Sequence, residues 1–150
     1  MAQSFEKSID VVAERCLAVQ MRMLNRVVTN IYDEALRPLG LKASQMNVLV
    51  AAFKMGTARP ADVCERLHLD VSTLSRNVER MRARGWLEAV QDADGRAQPF
   101  RLTDSGRKLL EEALPHWKRA QKRAAELLGD GVVEVLETAV RRVQRSGVRV

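Results

Sequence analysis

The residues with the clearest chemical promise lie between Val71 and Arg84, where Arg76, Arg80, Arg82 and Arg84 stand against Glu79 alone. On a helix, Val71, Leu74, Val78 and Met81 share one narrow sector, while Arg76, Arg80 and Ala83 fall almost opposite. Ser72 and Thr73 lie on the margins of the outward face, and Ser75 and Asn77 flank the apolar sector. Hydroxyls and free N–H groups at a helix start can meet phosphates or thymine edges, and arginine can grip guanine O6 and N7 with two bonds. Taken alone, such a helix is equally well explained as a solvated face. Further along, Asp94-Gly95 marks a hairpin tip that would carry Arg96 outward, where an arginine can enter a minor groove. Asp94 can orient that guanidinium by a charge-assisted bond, although the dipeptide makes a plain turn in either case.

Other chemistries find little support. His68, His116, Cys16 and Cys64 show no metal-ligand spacing, so no metal site is expected. There is no nucleophile elbow, phosphate-cradling glycine loop or paired-carboxylate motif, so neither catalysis nor a cofactor is expected. Two cysteines make no disulfide framework and suit a reducing cytosol. The opening residues lack a secretion signal, and the apolar run Val48 to Phe53 is too short to span a bilayer. A cytoplasmic location without a membrane partner is therefore expected. A net charge of +6 permits a polyanionic partner, but the excess is spread along the chain, so only placement can argue for one.

Several elements must position these groups. From Ser4 to about Arg37 the periodicity predicts one long helix. Phe5, Ile9, Val12, Cys16, Val19 and Met23 form one apolar stripe, with Leu17, Met21, Leu24, Val28 and Ile31 beside it. A helix apolar on two sides has more than one neighbour. Pro38-Leu39-Gly40 ends it. Met46, Leu49, Val50 and Phe53 mark a second helix, broken by Lys54 to Thr57. Pro60 opens a third, with Val63 and Leu67 inward. His68-Leu69-Asp70 make a turn, Asp70 caps the fourth helix, and Gly85 closes it. Trp86 to Gln91 and Gln98 to Leu102 read as strands, and Pro99 within the second fits only an edge or a bulge. Thr103 caps a fifth helix to about Leu128, with a kink predicted at Pro115, and a last helix runs from Val132 to about Arg145. The first stripe, with Leu109, Leu110, Leu114, Trp117, Leu127, Leu136 and Val143, is too much apolar surface for a monomer of 150 residues, so a homodimer is expected.

A short helix, a three-residue turn, the arginine-bearing helix and then a hairpin form the context that favours contact with duplex DNA over a solvated face. On Gly40-Leu41-Lys42-Ala43-Ser44-Gln45, Leu69-Asp70-Val71-Ser72-Thr73-Leu74-Ser75-Arg76 and Arg84-Gly85-Trp86-Leu87-Glu88, the sequence resembles the MarR family of regulators. Asp94-Gly95-Arg96-Ala97, followed by Arg101-Leu102-Thr103-Asp104-Ser105-Gly106, is the most specific piece. The resemblance spans roughly residues 12–145, departing at Lys42, where a capping Thr is usual, and at Pro99.

The expected fold is mainly α (α+β), a single domain. A winged helix-turn-helix lobe at about 41–103 is set on long dimerisation helices at about 1–40 and 104–150, with a small β-hairpin wing. The resemblance implies a homodimeric transcription regulator, expected to be a repressor, on a near-palindromic double-stranded operator. Ser72, Thr73, Ser75, Arg76, Asn77, Arg80, Asp94 and Arg96 are its DNA-contact candidates. It also implies a pocket for a small aromatic or anionic effector between dimer helices and lobe, with Met21, Asn25, Arg26, Tyr32, Met46 and Phe53 as wall candidates, most of them explained equally well as core. Some relatives sense peroxide through a first-helix cysteine, which makes Cys16 a redox candidate, although burial in the stripe accounts for it. The rival from another class is a winged-helix module that binds protein instead of DNA.

Overall fold

A computed structural model describes residues 2–92, 95 and 97–148. Seven α-helices and three short strands are described: α1 Ala2–Arg15, α2 Leu17–Leu36, a 3-10 turn Arg37–Leu39, α3 Ala43–Met55, β1 Thr57–Ala58, α4 Pro60–Leu67, α5 Val71–Ala83, β2 Leu87–Ala89, β3 Phe100–Leu102, α6 Asp104–Leu128 and α7 Val132–Ser146. None of the described helices is long and apolar enough to cross a membrane.

The long first helix expected from periodicity is two helices. Cys16 leaves helical geometry at ψ 111°, although neither Pro nor Gly stands there. The break is narrow: the Cys16 N–H still reaches the Val12 carbonyl at 3.2 Å, and its own carbonyl accepts from Val19 and Gln20 at 3.1 Å each. The Gln20 side chain donates to the Glu14 carbonyl at 3.0 Å, satisfying an acceptor near the break.

Pro38 and Gly40 end α2 as expected, with Gly40 in the left-handed region at φ 63°. The start of α3 shows how the chain manages without a capping Thr. Lys42 has no acceptor to offer, so the Asp33 carboxylate, reaching over from α2, accepts the Ala43 N–H at 2.8 Å. The Gln45 side chain accepts the Lys42 N–H at 3.0 Å.

The sheet has the order β1-β3-β2, antiparallel throughout. β3 is thus the central strand, which corrects the expectation that Pro99 lies in an edge strand or bulge. Pro99 sits one residue before β3, where its missing N–H costs no ladder bond, and its carbonyl accepts from Val90 at 2.9 Å. β1 has only two residues, paired as Thr57 with Arg101 and Ala58 with Phe100, in a stretch that the sequence marks as a simple helix break.

Phe100, Leu36, Leu41, Leu49, Leu74, Met81, Val48 and Val63 are the largest fully buried side chains, and they form one core beneath the helix-turn-helix. Leu109 and Ala113 of α6 belong to this core. Leu109 is therefore lobe packing and is removed from the expected dimer surface. A second, smaller cluster joins α2 to α6 through Ile31, Ala120 and Ala124. Polar ties reinforce that seam: Tyr32 donates to the Gln121 side chain, the His116 ring donates to the Ala35 carbonyl at 2.7 Å, and Arg123 meets Glu34 at 3.5 Å. α6 runs on as one helix through Pro115.

Beyond the seam the terminal helices expose their apolar stripes. Phe5, Ile9, Val12, Leu17, Val19, Met21 and Met23 are exposed on α1 and α2, as are Leu127, Val135, Val140 and Val143 on α6 and α7. α7 buries none of its residues.

Candidate nucleic-acid interface

α4, a turn and α5 form the centre of the candidate interface. α4 ends at His68, whose backbone takes the left-handed conformation at φ 50° and ψ 50° and turns the chain sharply. Asp70 then caps α5, as its sequence position predicted, accepting the Thr73 N–H at 2.8 Å. The carboxylate does more than that. It also accepts the Ser72 hydroxyl at 2.5 Å and the Thr73 hydroxyl at 2.6 Å. These donors hold the Asp70 carboxyl far below the usual carboxylate range.

This arrangement alters the chemistry expected of Ser72 and Thr73. With their protons given to Asp70, the two hydroxyls present lone pairs outward. They are thereby suited to accept from base amino groups, and must leave Asp70 before they can donate to a phosphate. A depressed carboxyl contributes stability that is full above its ordinary value of 3.8 and is lost as pH falls from there toward the folded value. Wild type should therefore lose stability relative to Asp70→Asn below pH 3.8 and keep a constant difference from pH 5 to 7, as read by urea denaturation across that range. A difference that changes between pH 5 and 7 would contradict the assignment.

Along α5, Leu74 and Met81 are buried and Val78 half-buried. Val71, which spacing places in the same inward sector, is 67% exposed because it opens the helix beyond the reach of the core. Ser72, Ser75, Arg76 and Arg80 are exposed, and Thr73 and Asn77 half-buried. Among the described residues, neither Arg76 nor Arg80 takes part in an ion pair. Their guanidinium groups stand one turn apart, open to solvent. The other two arginines are used differently. Arg82 lines a cleft of about 450 Å³ with Glu79, Leu87 and Glu88, between α5 and β2. Arg84 turns back onto Trp86, its guanidinium 4.9 Å from the ring centroid, and donates to the Gly40 carbonyl at 2.9 Å.

The wing rises from β2 and β3, braced by an ion pair between Glu88 and Arg101. Gly95, at φ 62°, donates its N–H to the Asp92 carbonyl at 3.1 Å, in keeping with the predicted turn. Asp94 and Arg96, the two wing candidates, lie outside the described residues.

The effector candidates are dispersed. Met21, Asn25 and Arg26 are exposed on α2, and the Tyr32 hydroxyl is engaged with Gln121, its pKa raised by burial. Met46 is buried in the lobe core, and Phe53 is exposed beneath the Arg107 guanidinium at 5.0 Å. A cleft of about 400 Å³ opens elsewhere, walled by Asn30, Asp33, Glu34, Arg37, Gly40, Leu41 and Lys42. Apolar periodicity missed it because its α2 side, Asn30, Asp33 and Glu34 with Arg37 just beyond, is a polar face, and the rest of the lining comes from the turn before α3. Cys16 is half-buried at the break in the arm. Burial, and then the charge of Asp70, push the Cys64 thiol up, which disfavours the reactive thiolate. Among the described residues no three His, Cys, Asp or Glu side chains gather into a metal site.

A capped helix presented outward after a sharp turn, backed by a three-stranded sheet that ends in a hairpin, defines a winged helix-turn-helix protein. A sequence profile described as "MarR family" matches residues 39–97. An uncharacterized HTH-type transcriptional regulator, YwoH of Bacillus subtilis, is 29% identical over 98 residues, covering 65% of this chain and 72% of that one. The multiple antibiotic resistance protein MarR of Salmonella typhimurium is 27% identical over 106 residues, covering 70% and 72%. The fold matches that of a mutant MarR from E. coli complexed with operator DNA, with a TM-score of 0.78 at 22% identity over 89% of this chain and 96% of that one. The chain is thus similar to MarR-family regulators across its winged helix-turn-helix lobe and shares their fold.

Proposed function

We propose that this regulator is a homodimeric repressor that grips a near-palindromic duplex operator with one lobe on each half-site. The observation that carries the reading is the pair of exposed guanidinium groups of Arg76 and Arg80, without an ion pair among the described residues, on the outward face of a capped helix. Ser72, Thr73, Ser75 and Asn77 supply the neighbouring polar contacts in the major groove, and Asp94 and Arg96 those of the wing. The bare apolar stripes of α1 and α7 support pairing of two chains through their arms, since surfaces of this kind rarely stay exposed in water. Release by a small aromatic or anionic effector is part of the proposal. Arg26, exposed on α2, is the cation that would meet its charge, with Met21 and Asn25 alongside.

The test is fluorescence anisotropy on duplexes from the intergenic DNA flanking the gene, with light scattering of the free protein at micromolar concentration. A dimer is expected, bound to one such duplex with an affinity that falls roughly 0.9 log units per log unit of salt for each phosphate neutralised. A stable monomer, or binding indifferent to salt, would overturn the reading.

A further inference from the structure

Charge counting groups Arg84 with the arginines that could face DNA, but its geometry separates it from them. Arg84 follows the last residue of α5 and folds away from the outward face. Its planar guanidinium lies over Trp86, which is 9% exposed, and Nη1 donates to the Gly40 carbonyl at 2.9 Å. Gly40 caps the 3-10 turn that follows directly on α2, so this one side chain joins the end of the DNA-reading helix to the end of the arm helix. The contact is close: a Cβ at Gly40 would lie 2.9 Å from that same nitrogen. Trp86 is itself held to the start of α6, because its carbonyl accepts the Thr103 N–H at 3.1 Å while the Thr103 hydroxyl donates to the Gly85 carbonyl at 2.6 Å.

We propose that Arg84 is a positioning residue, a strut that fixes the angle between α5 and the α2 arm and thereby the separation of the two reading helices in the dimer. A planar fork is well shaped for such a strut, since one face stacks on the indole while an N–H at the edge takes a carbonyl, which an ammonium group cannot reproduce. The functional half of this inference rests on the operator-binding reading above; the mechanical half does not.

The experiment therefore begins without DNA. Spin labels are placed at Asn30 on α2 and Ser75 on α5, at least partly exposed, in a chain carrying Cys16→Ser and Cys64→Ala, diluted into excess unlabelled chain. Arg84→Ala should widen the label-to-label distance distribution relative to the parent. An unchanged width overturns the strut, whether or not the chain binds DNA. Should Arg84→Ala fail to fold, Arg84→Lys takes its place, and the distribution must still widen because the stacking face is gone. On the operator, Arg84→Ala should weaken binding on the order of tenfold, the size of effect typical of mutations in a coupling element. The salt slope should stay unchanged, with less discrimination against half-sites moved apart by one base pair. A slope lowered by about one unit would instead make Arg84 a phosphate contact and overturn the proposal. Failure of wild type to bind any flanking duplex is a failure of the operator reading alone.

Discussion

Gly106→Ala should destabilise the protein by about 3 kcal/mol or more, at the upper end of what overpacking costs. A Cβ at residue 106 would stand 2.2 Å from the Trp86 carbonyl oxygen, 3.1 Å from its carbon and 2.8 Å from Leu102 Cδ1. The first two are backbone atoms of the junction that binds Thr103, so no side-chain rotation relieves the clash. The first turn of α6 would have to move off the β2 junction, taking the buried Leu109 with it. Urea denaturation measures this directly: the midpoint should drop at constant slope, while Ser105→Ala, exposed one residue earlier, should stay within about 0.5 kcal/mol of wild type. Equal midpoints for the two variants would mean that α6 does not approach Trp86 this closely.

Arg76→Ala should cost on the order of 1–3 kcal/mol of operator affinity, roughly a five- to 150-fold weakening, and flatten base preference at one position in each half-site. A bidentate contact to guanine predicts that combination, since losing the contact removes both energy and information. Arg145→Ala, exposed near the end of α7, is the control for loss of one positive charge. It should leave base preference intact and change affinity little, because an exposed charge distant from the duplex is screened by salt. The deciding measurement is the affinity of both variants on wild-type and single-base-changed duplexes at one fixed salt concentration. Equal, sequence-independent losses would mean that bulk charge drives binding, and the assignment of α5 as the reading helix would fail with it.

Features settled within one turn of chain were legible in the sequence. Asp70 and Thr103 cap their helices as their positions predicted, and Pro60 opens α4, because each acts on backbone groups two or three residues away. The inward and outward faces of α5 were likewise legible from spacing, except at Val71, which is exposed at the first position of the helix. What escaped depended on distant partners. β1 is a strand only because Phe100 and Arg101 pair with it, and two residues carry no periodicity. Asp33 caps α3 from another helix, so Lys42 looked like a defect when the acceptor was supplied elsewhere. Periodicity placed Leu109 on an apolar face without saying which neighbour that face meets. The break at Cys16 had no Pro or Gly to announce it. Among the arginines between residues 76 and 84, charge was visible and direction was not, which is why Arg84 looked like Arg76.

The bare arms of α1 and α7 also tie folding to abundance. If the apolar stripes are covered only when two chains meet, association contributes to the stability of each chain, and the melting temperature must rise with protein concentration. Because two chains are needed for each bound operator, occupancy in the dilute limit grows with the square of chain concentration. A regulator built this way responds to a halving of its own supply with a fourfold fall in dimer, so control of its synthesis becomes a control of its target sharper than proportional.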